Sequence, residues 1–271
     1  MLYVIGTPIG NLSDLSKRAV EALASVDIVF AEDTRTALSL LNSQGIKKPC
    51  KSYYKDNEKT ASESVIQCLL NGDNVALISE AGMPCVSDPG AYVIKEVIEK
   101  GLPFEIIQGP TALIHGLIAS GFAGGSFYFH GFLPHKEKDK IKEIQNLLHI
   151  KAPVIFYESP YRVKETLNIL LDYFPAPIAV TREATKVYEE TLFIYSKEDI
   201  ENITVKGEFV ITVNNKTEEI QEESSSVSLN YEQIIKELLN ENISSKDILK
   251  MMKALGMKRN EAYNLINKLQ A

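Results

Sequence analysis

Four short segments of this chain combine Gly, Pro, Thr and acidic residues in a way that exposes backbone. They are "GTPIGNL" (6–12), "AEDTRT" (31–36), "SEAGMPCVSDPG" (79–90) and "GPTA" (109–112). Each directly follows a short apolar run. One such segment is an ordinary turn. Four of them at successive strand ends describe a binding face, because ligands of open α/β sheets sit beyond the carboxyl ends of the strands. "GTPIGN" is not the GxGxxG pattern, and no GxxxxGK[ST] exists, so neither a dinucleotide cradle nor a P-loop is indicated. Exposed amides and carbonyls with little basic charge suit a zwitterionic or adenosine-like ligand better than a triphosphate. Three charged clusters also follow apolar runs: "EDTR" (32–35), "ESPYR" (158–162) and "REATKVYEE" (182–190).

The order of elements around these segments predicts how they are held. Leu2–Ile5, Asp27–Ala31, Val75–Ser79 and Phe104–Gln108 read as strands. Leu15–Ala24, Thr34–Asn42, Ser62–Asn71, Tyr92–Lys100 and Thr111–Ser120 read as helices. That alternation indicates an α/β sheet with crossover helices. A further strand, Ser126–His130, runs into "GFLPHKEKDK" (131–140), whose Gly, Pro and charges read as an interdomain connection. The rhythm then changes. Pro153–Tyr157, Ile178–Arg182, Glu190–Tyr195 and Glu208–Val213 read as strands, with one helix, Arg162–Tyr173, which suggests a more antiparallel sheet. The expected organisation is an N-terminal α/β domain (1–131), a second α+β domain (132–214), a flexible acidic linker (215–229) and a helical unit (230–271). In the last, Ser244 with Asp247 resembles a capping box, and Gly256 sits where a helix would stop.

Composition bounds the class. The chain has 271 residues and is 45% hydrophobic, enough for two cored domains. No stretch approaches a membrane span and no signal segment is visible, which predicts a cytoplasmic protein. Cys50, Cys68 and Cys85 form no CxxC pair, and His115, His130, His135 and His149 form no ligand pattern, so no metal is expected. The net charge of −7 argues against a general nucleic-acid binder. However, the tail carries Lys246, Lys250, Lys253, Lys258, Arg259 and Lys268 against only Asp247 and Glu261. Three short basic helices read either as a helix-turn-helix-like RNA-binding unit or as a small cap that only packs.

The run "TPIGNLSDLSKRAVEALASVDIVFAEDTR", then "SEAGMPCVSDPG", "GPTA", "GFLP", "FYESPYR", "TREATKVYEE" and "KGEFVITV" resembles, in order, the small-subunit ribosomal RNA ribose 2′-O-methyltransferases. These belong to the tetrapyrrole-methylase superfamily of class III methyltransferases. The resemblance implies two α/β domains with S-adenosylmethionine in the cleft between them, and 2′-O-methylation of a cytidine in the decoding region of 16S rRNA within the small ribosomal subunit. It implies a homodimer. It maps cofactor contacts to Pro8, Ile9, Gly10, Ala81, Gly82, Met83, Val86, Thr111, Ala112, Tyr157 and Ala184. The family's usual Ser-Asp-Ala-Gly-Thr-Pro reads Ser79-Glu80-Ala81-Gly82-Met83-Pro84 here, and Ala184 stands where a larger apolar residue is usual.

Methyl transfer from a sulfonium is an in-line displacement, so the enzyme must align the groups and activate a ribose hydroxyl. The candidates for that activation are Lys186, Glu183, Glu189 and Glu158. Asn11, Asp33, Arg35, Arg162, Arg182 and Phe132 are the candidates for holding RNA, the arginines on phosphates and Phe132 by stacking on the flipped base. Asn11 and Glu32 are also placed to line the cofactor or target pocket. Two other functions share these features: methylation of a tetrapyrrole precursor on the same fold, and RNA binding without catalysis.

Overall fold

The computed structural model describes residues 1–215, 231–241, 243–254, 257 and 259–270. Residues 1–216 form one compact unit and 217–271 a second. Most of the expected linker, together with Gly256 and Lys258, lies outside the described residues.

The first sheet has strands β1 (Leu2–Ile5), β2 (Ile28–Ala31), β3 (Cys50–Ser52), β4 (Val75–Ile78) and β5 (Phe104–Ile107), in the order β3-β2-β4-β1-β5. Every pairing is parallel. The central strands are buried on both faces, which is why β4 reads Val-Ala-Leu-Ile without alternation. The crossovers are α1 (Lys17–Ser25), α2 (Thr34–Ser43), α3 (Glu58–Leu70) and α4 (Ala91–Glu99). Ser16 and Asp33 cap α1 and α2 by accepting from Ala19 N (3.1 Å) and Arg35 N (2.7 Å), fixing where those helices begin. α3 starts a turn earlier than its apolar period suggests. Its first residue, Glu58, accepts from Gly90 N (2.8 Å) and Tyr53 Oη (3.3 Å), so tertiary hydrogen bonds stabilise a polar turn.

The second sheet has strands β6 (Tyr128–Phe132), β7 (Val154–Glu158), β8 (Ile178–Arg182), β9 (Glu190–Ile194) and β10 (Phe209–Val213), in the order β6-β7-β10-β8-β9. Only β6 and β7 are parallel. Two readings change here. The expected boundary at 131/132 falls inside β6, which pairs with β7 and belongs to the second sheet. Gly131 (φ +80°) takes up a register shift after Phe129, and the strand continues past His130. The "GFLPHKEKDK" connection is also partly helical, running into α6 (Glu137–Leu147). Its charge run hid Lys140, whose stem is fully buried. The Lys140 ammonium donates to Glu165 Oε1 (2.7 Å) and Thr166 Oγ1 (3.2 Å) on α7 (Val163–Tyr173). Asn215, expected to open the flexible linker, is buried and donates to the carbonyls of Leu147 (3.1 Å) and Leu148 (3.3 Å). Those carbonyls end α6 and have no partner within the helix. A short helix, α8 (Lys197–Glu201), follows β9.

Helix α5 (Ala112–Ala119) follows the first sheet in the chain but packs on the second. Leu113 and Leu117 form a buried cluster with Ile155 of β7 and Val210 of β10. At the closest point, a Cβ on Gly116 would lie 2.4 Å from Val210 Cγ1.

The second unit contains α9 (Tyr231–Asn240), α10 (Ser245–Ala254) and α11 (Arg259–Gln270) around Ile235, Ile248, Met252, Ala262 and Ile266. Ser244 caps α10, accepting from Asp247 N at 3.2 Å.

Gly116→Ala tests the α5 contact. Helix propensity alone would make it stabilising by about 1 kcal/mol. The clash with Val210 reverses that, and denaturant unfolding should show a loss of roughly 1–3 kcal/mol. Adding Val210→Ala should recover part of the loss.

Candidate active site

The carboxyl ends of β1, β2, β4 and β5 point the same way, so their loops gather at one edge. Thr7 and Gly82 exchange backbone hydrogen bonds (2.8 and 3.1 Å), tying the first loop to the glycine loop. Gly6 and Gly109 touch backbone to backbone: a Cβ on Gly6 would lie 2.5 Å from Gly109 N and from Met83 Sδ. Met83 Sδ accepts from Gly109 N at 3.3 Å. The second sheet closes over this edge. Asn11 N donates to Thr185 Oγ1 (3.2 Å), and Gly10 lies against the stem of Lys186.

Between these loops lies a cavity of about 570 Å³. All eleven residues expected to contact cofactor line it: Pro8, Ile9, Gly10, Ala81, Gly82, Met83, Val86, Thr111, Ala112, Tyr157 and Ala184. Tyr157 Oη accepts from Leu113 N (3.1 Å) at the start of α5, and burial pushes its phenol up to about 12. Ile9, Met83, Val86, Ala112 and Val210 give the cavity an apolar wall. Glu32, Glu80, Asp88 and Glu208 give it an acidic one. This donor set fits a cationic or zwitterionic ligand with an apolar body. It does not fit a polyphosphate.

The charged candidates separate clearly. Lys186 lines the cavity, and its ammonium donates to Glu183 Oε1 (2.9 Å) and Glu208 Oε2 (2.8 Å). Desolvation lowers its pKa, but the two carboxylates outweigh that and the net shift is upward. Glu183 also accepts from Glu208 N (3.1 Å); burial opposes its charge, yet the contact with Lys186 and the other donors leave its pKa lowered. Glu183 (φ +53°) and Thr185 (φ +65°) are both left-handed, which turns the "REATK" loop toward Gly10. Such backbone is strained in residues other than glycine and persists only where its surroundings hold it. Glu189 accepts from Thr185 N and pairs with His115 Nε2 (3.1 Å); it supports the loop and does not line the cavity.

Glu158 is structural. Its side chain is fully buried and accepts from Ser159 N, Thr166 Oγ1 and Arg162, each at 2.7 Å. Both oxygens are thus engaged inside the fold, which leaves the side chain poorly placed to take a substrate proton. Arg162 is turned inward as well, donating to Leu133 O (3.1 Å) and Pro134 O (3.4 Å). Arg182 is held by Glu190 (2.6 Å). Neither guanidinium is presented to a phosphate, so these two RNA assignments give way to internal pairing that fixes the loops.

Arg35 is different, with its side chain 89% exposed beside Asp33 (2.6 Å). The Arg35 hydrogen bond holds the Asp33 carboxyl at about 2. Asn11 is exposed and accepts from Ser13 N (3.0 Å), an Asx turn at the rim. Phe132 lines the cavity, packs edge-on against Tyr157 (centroids 5.7 Å apart) and stays 55% exposed.

Sequence reasoning did not single out Glu80, Asp88 or Glu208. The signal for Asp88 was present, since it lies in the long loop after β4. Burial and the charges of Glu32 and Glu80 raise Asp88 to about 7. Glu32 is raised by burial and by Glu80. Among the described residues, no group of three His, Cys, Asp or Glu has the arrangement to hold a metal ion.

Residues 1–200 match the model of the tetrapyrrole (corrin/porphyrin) methylases. Two solved structures share the fold at 18% identity: the methyltransferase CobJ (TM-score 0.60, 79% of this chain and 93% of that one) and the uroporphyrin-III-C-methyltransferase of Thermus thermophilus (TM-score 0.56, 79% and 94%). Fold and site thus define a methyltransferase of the tetrapyrrole-methylase class. The ribosomal RNA small subunit methyltransferase I of Bacillus subtilis is 37% identical over 92% of this chain and 88% of its own length. That of Halalkalibacterium halodurans is 37% identical over 97% and 93%. The chain belongs to this family of small-subunit ribosomal RNA methyltransferases.

The raised Asp88 has a consequence for stability. The native state keeps a proton that the unfolded chain releases near pH 4, so stability falls as pH rises from about 4 to 7. Asp88→Asn removes that fall. Thermal melts should show the variant above wild type at about pH 8, with the gap closing toward pH 4.

Proposed function

We propose that this protein transfers a methyl group from S-adenosylmethionine to the ribose 2′-hydroxyl of a cytidine in the decoding region of 16S rRNA. The observation that carries this reading is the convergence of several loops, distant in sequence, on one cavity with an apolar wall and an acidic rim. The backbone of Ala81–Met83 and Thr111–Ala112 and the apolar side chains of Ile9, Val86 and Val210 would hold the cofactor. Bound there, it supplies an electrophilic methyl group. The relatives' names support ribosomal RNA as acceptor.

The remaining roles follow from exposure. Lys186 presents a cation at the cavity, suited to stabilising a developing alkoxide. Glu183 and Glu208 fix its position, and Glu189 supports the loop beneath it. Phe132 offers an edge for the target base, and Arg35 and Asn11 sit at the rim where the RNA backbone passes. The acceptor is the small ribosomal subunit, a cytoplasmic particle, and the helical unit 230–271 adds RNA contact. A homodimer is supported by apolar side chains left exposed on α5 (Ile114, Ile118) and on the edge strand β5 (Phe104, Ile106).

The test uses small subunits lacking the modification, incubated with the protein and methyl-labelled cofactor. Digestion and mass spectrometry should find the label on 2′-O-methylcytidine. Label on a base atom, or only on added tetrapyrrole precursors, would refute the reading. Lys186→Met should slow single-turnover transfer ~10²-fold while leaving cofactor affinity within a few-fold. An unchanged rate would remove Lys186 from the chemistry.

A further inference from the structure

The site holds a cation but its obvious carboxylates are occupied. Glu158 is fully buried and engaged by Ser159, Thr166 and Arg162. Glu183 and Glu208 are spent on Lys186, and Glu189 on Thr185 and His115. Lys186 itself is a double ion pair and cannot accept a proton while those pairs stand.

Of the other acids on the cavity wall, Glu80 is exposed and Glu32 accepts from the Glu80 backbone, which leaves Asp88. It lines the cavity, is half-buried, and neither of its carboxylate oxygens has a hydrogen-bond donor among the described residues. Its loop is built to present it. Cys85 (φ +70°) and Ser87 (φ +67°) are left-handed residues that are not glycine, a strained backbone of the kind that clusters at functional positions. Within the loop Cys85 N donates to Pro89 O (3.4 Å), and Ser87 Oγ lies close to Gly131 of β6.

We propose that Asp88 accepts the proton of the ribose 2′-hydroxyl during methyl transfer. This rests on the functional reading above. The hydroxyl proton passes to an Asp88 carboxylate oxygen as the oxygen lone pair forms the new C–O bond. The electron pair of the broken C–S bond stays on the donor's sulfur, and the proton on Asp88 is later released to water. The groups facing Asp88 tune it for this: Glu32 from the β2 loop, Glu80 from its own loop, the Cys85 thiol and the Tyr157 phenol. None donates to it, and Glu32 and Glu80 repel its charge. Its titration near pH 7 matches what a base working at that pH requires. Asp88 and Lys186 then divide the work, one taking the proton and the other steadying the oxygen.

The experiment compares wild type and Asp88→Asn on undermodified small subunits under single-turnover conditions across pH. Calorimetry measures cofactor affinity, and carbon-13 carboxyl NMR follows Asp88 titration in the cofactor-bound wild type. The wild-type rate should rise tenfold per pH unit below the Asp88 midpoint and level above it. The variant should be ~10²–10⁴-fold slower and lose that rise, with cofactor affinity within about threefold. A variant within about fivefold of wild type, or one whose loss follows weakened cofactor binding, overturns the proposal. If the variant does not fold, the wild type still decides: a rate midpoint that departs from the NMR midpoint also overturns it. Wild type that labels no ribose at all would instead sink the functional reading, and this inference with it.

Discussion

The packing of α5 on β10 is the constraint on which the site depends. The two sheets have different topologies and share no strand. A helix that leaves the first sheet and buries Leu113 and Leu117 on the second joins them, alongside the contacts of Asn11 and Gly10 with the loop after β8. Gly116 allows the approach, because any side chain there would enter Val210. The same helix begins at Thr111–Ala112, and the strand beneath it supplies Phe209 and Val210. Both ends of this one contact therefore line the cavity. A shift of α5 would move one wall relative to the other, and a cavity built from loops of both sheets would lose its shape.

Within that frame, the charges divide into those that hold loops and those that face the ligand. Glu158, Arg162, Thr166, Lys140 and Glu165 form a continuous network beneath the second sheet's rim. Buried pairs of this kind contribute little net stability but are costly to break, which fixes the loop that follows β7. The charges facing the cavity are mostly negative. Phosphates are repelled from such a pocket, while a sulfonium cofactor and an uncharged ribose hydroxyl are not. An acidic protein can serve an RNA substrate this way if backbone contacts stay at the rim, where Arg35 lies.

Much of this was legible in the sequence. Four parallel strands were placed by their short Val/Ile-rich runs, and their loops by Gly, Pro, Asp and Thr. The lining residues followed from a family resemblance, and they do converge on one cavity. What was not legible depended on tertiary partners. Arg162 and Arg182 look like surface arginines until Glu158 and Glu190 are found beside them. The α6 helix looks like a charged linker until the Lys140 stem is seen to be buried. Asp88 reads as a turn aspartate, since its burial is a tertiary effect and the two carboxylates that face it lie 8 and 56 positions away. Asn215 reads as linker because its three carbonyl partners lie more than sixty residues earlier.

If the cavity between the two sheets is the methyl-donor site, the spent cofactor must bind there. The most direct measurement is a crystal structure of the protein grown with S-adenosylhomocysteine, the demethylated cofactor. Density is expected in this cavity, with the adenosine against Ile9, Met83, Ala112 and Val210 and the amino acid part toward the acidic rim. Density elsewhere on the chain, or full binding in solution with this cavity left empty in the crystal, would contradict it.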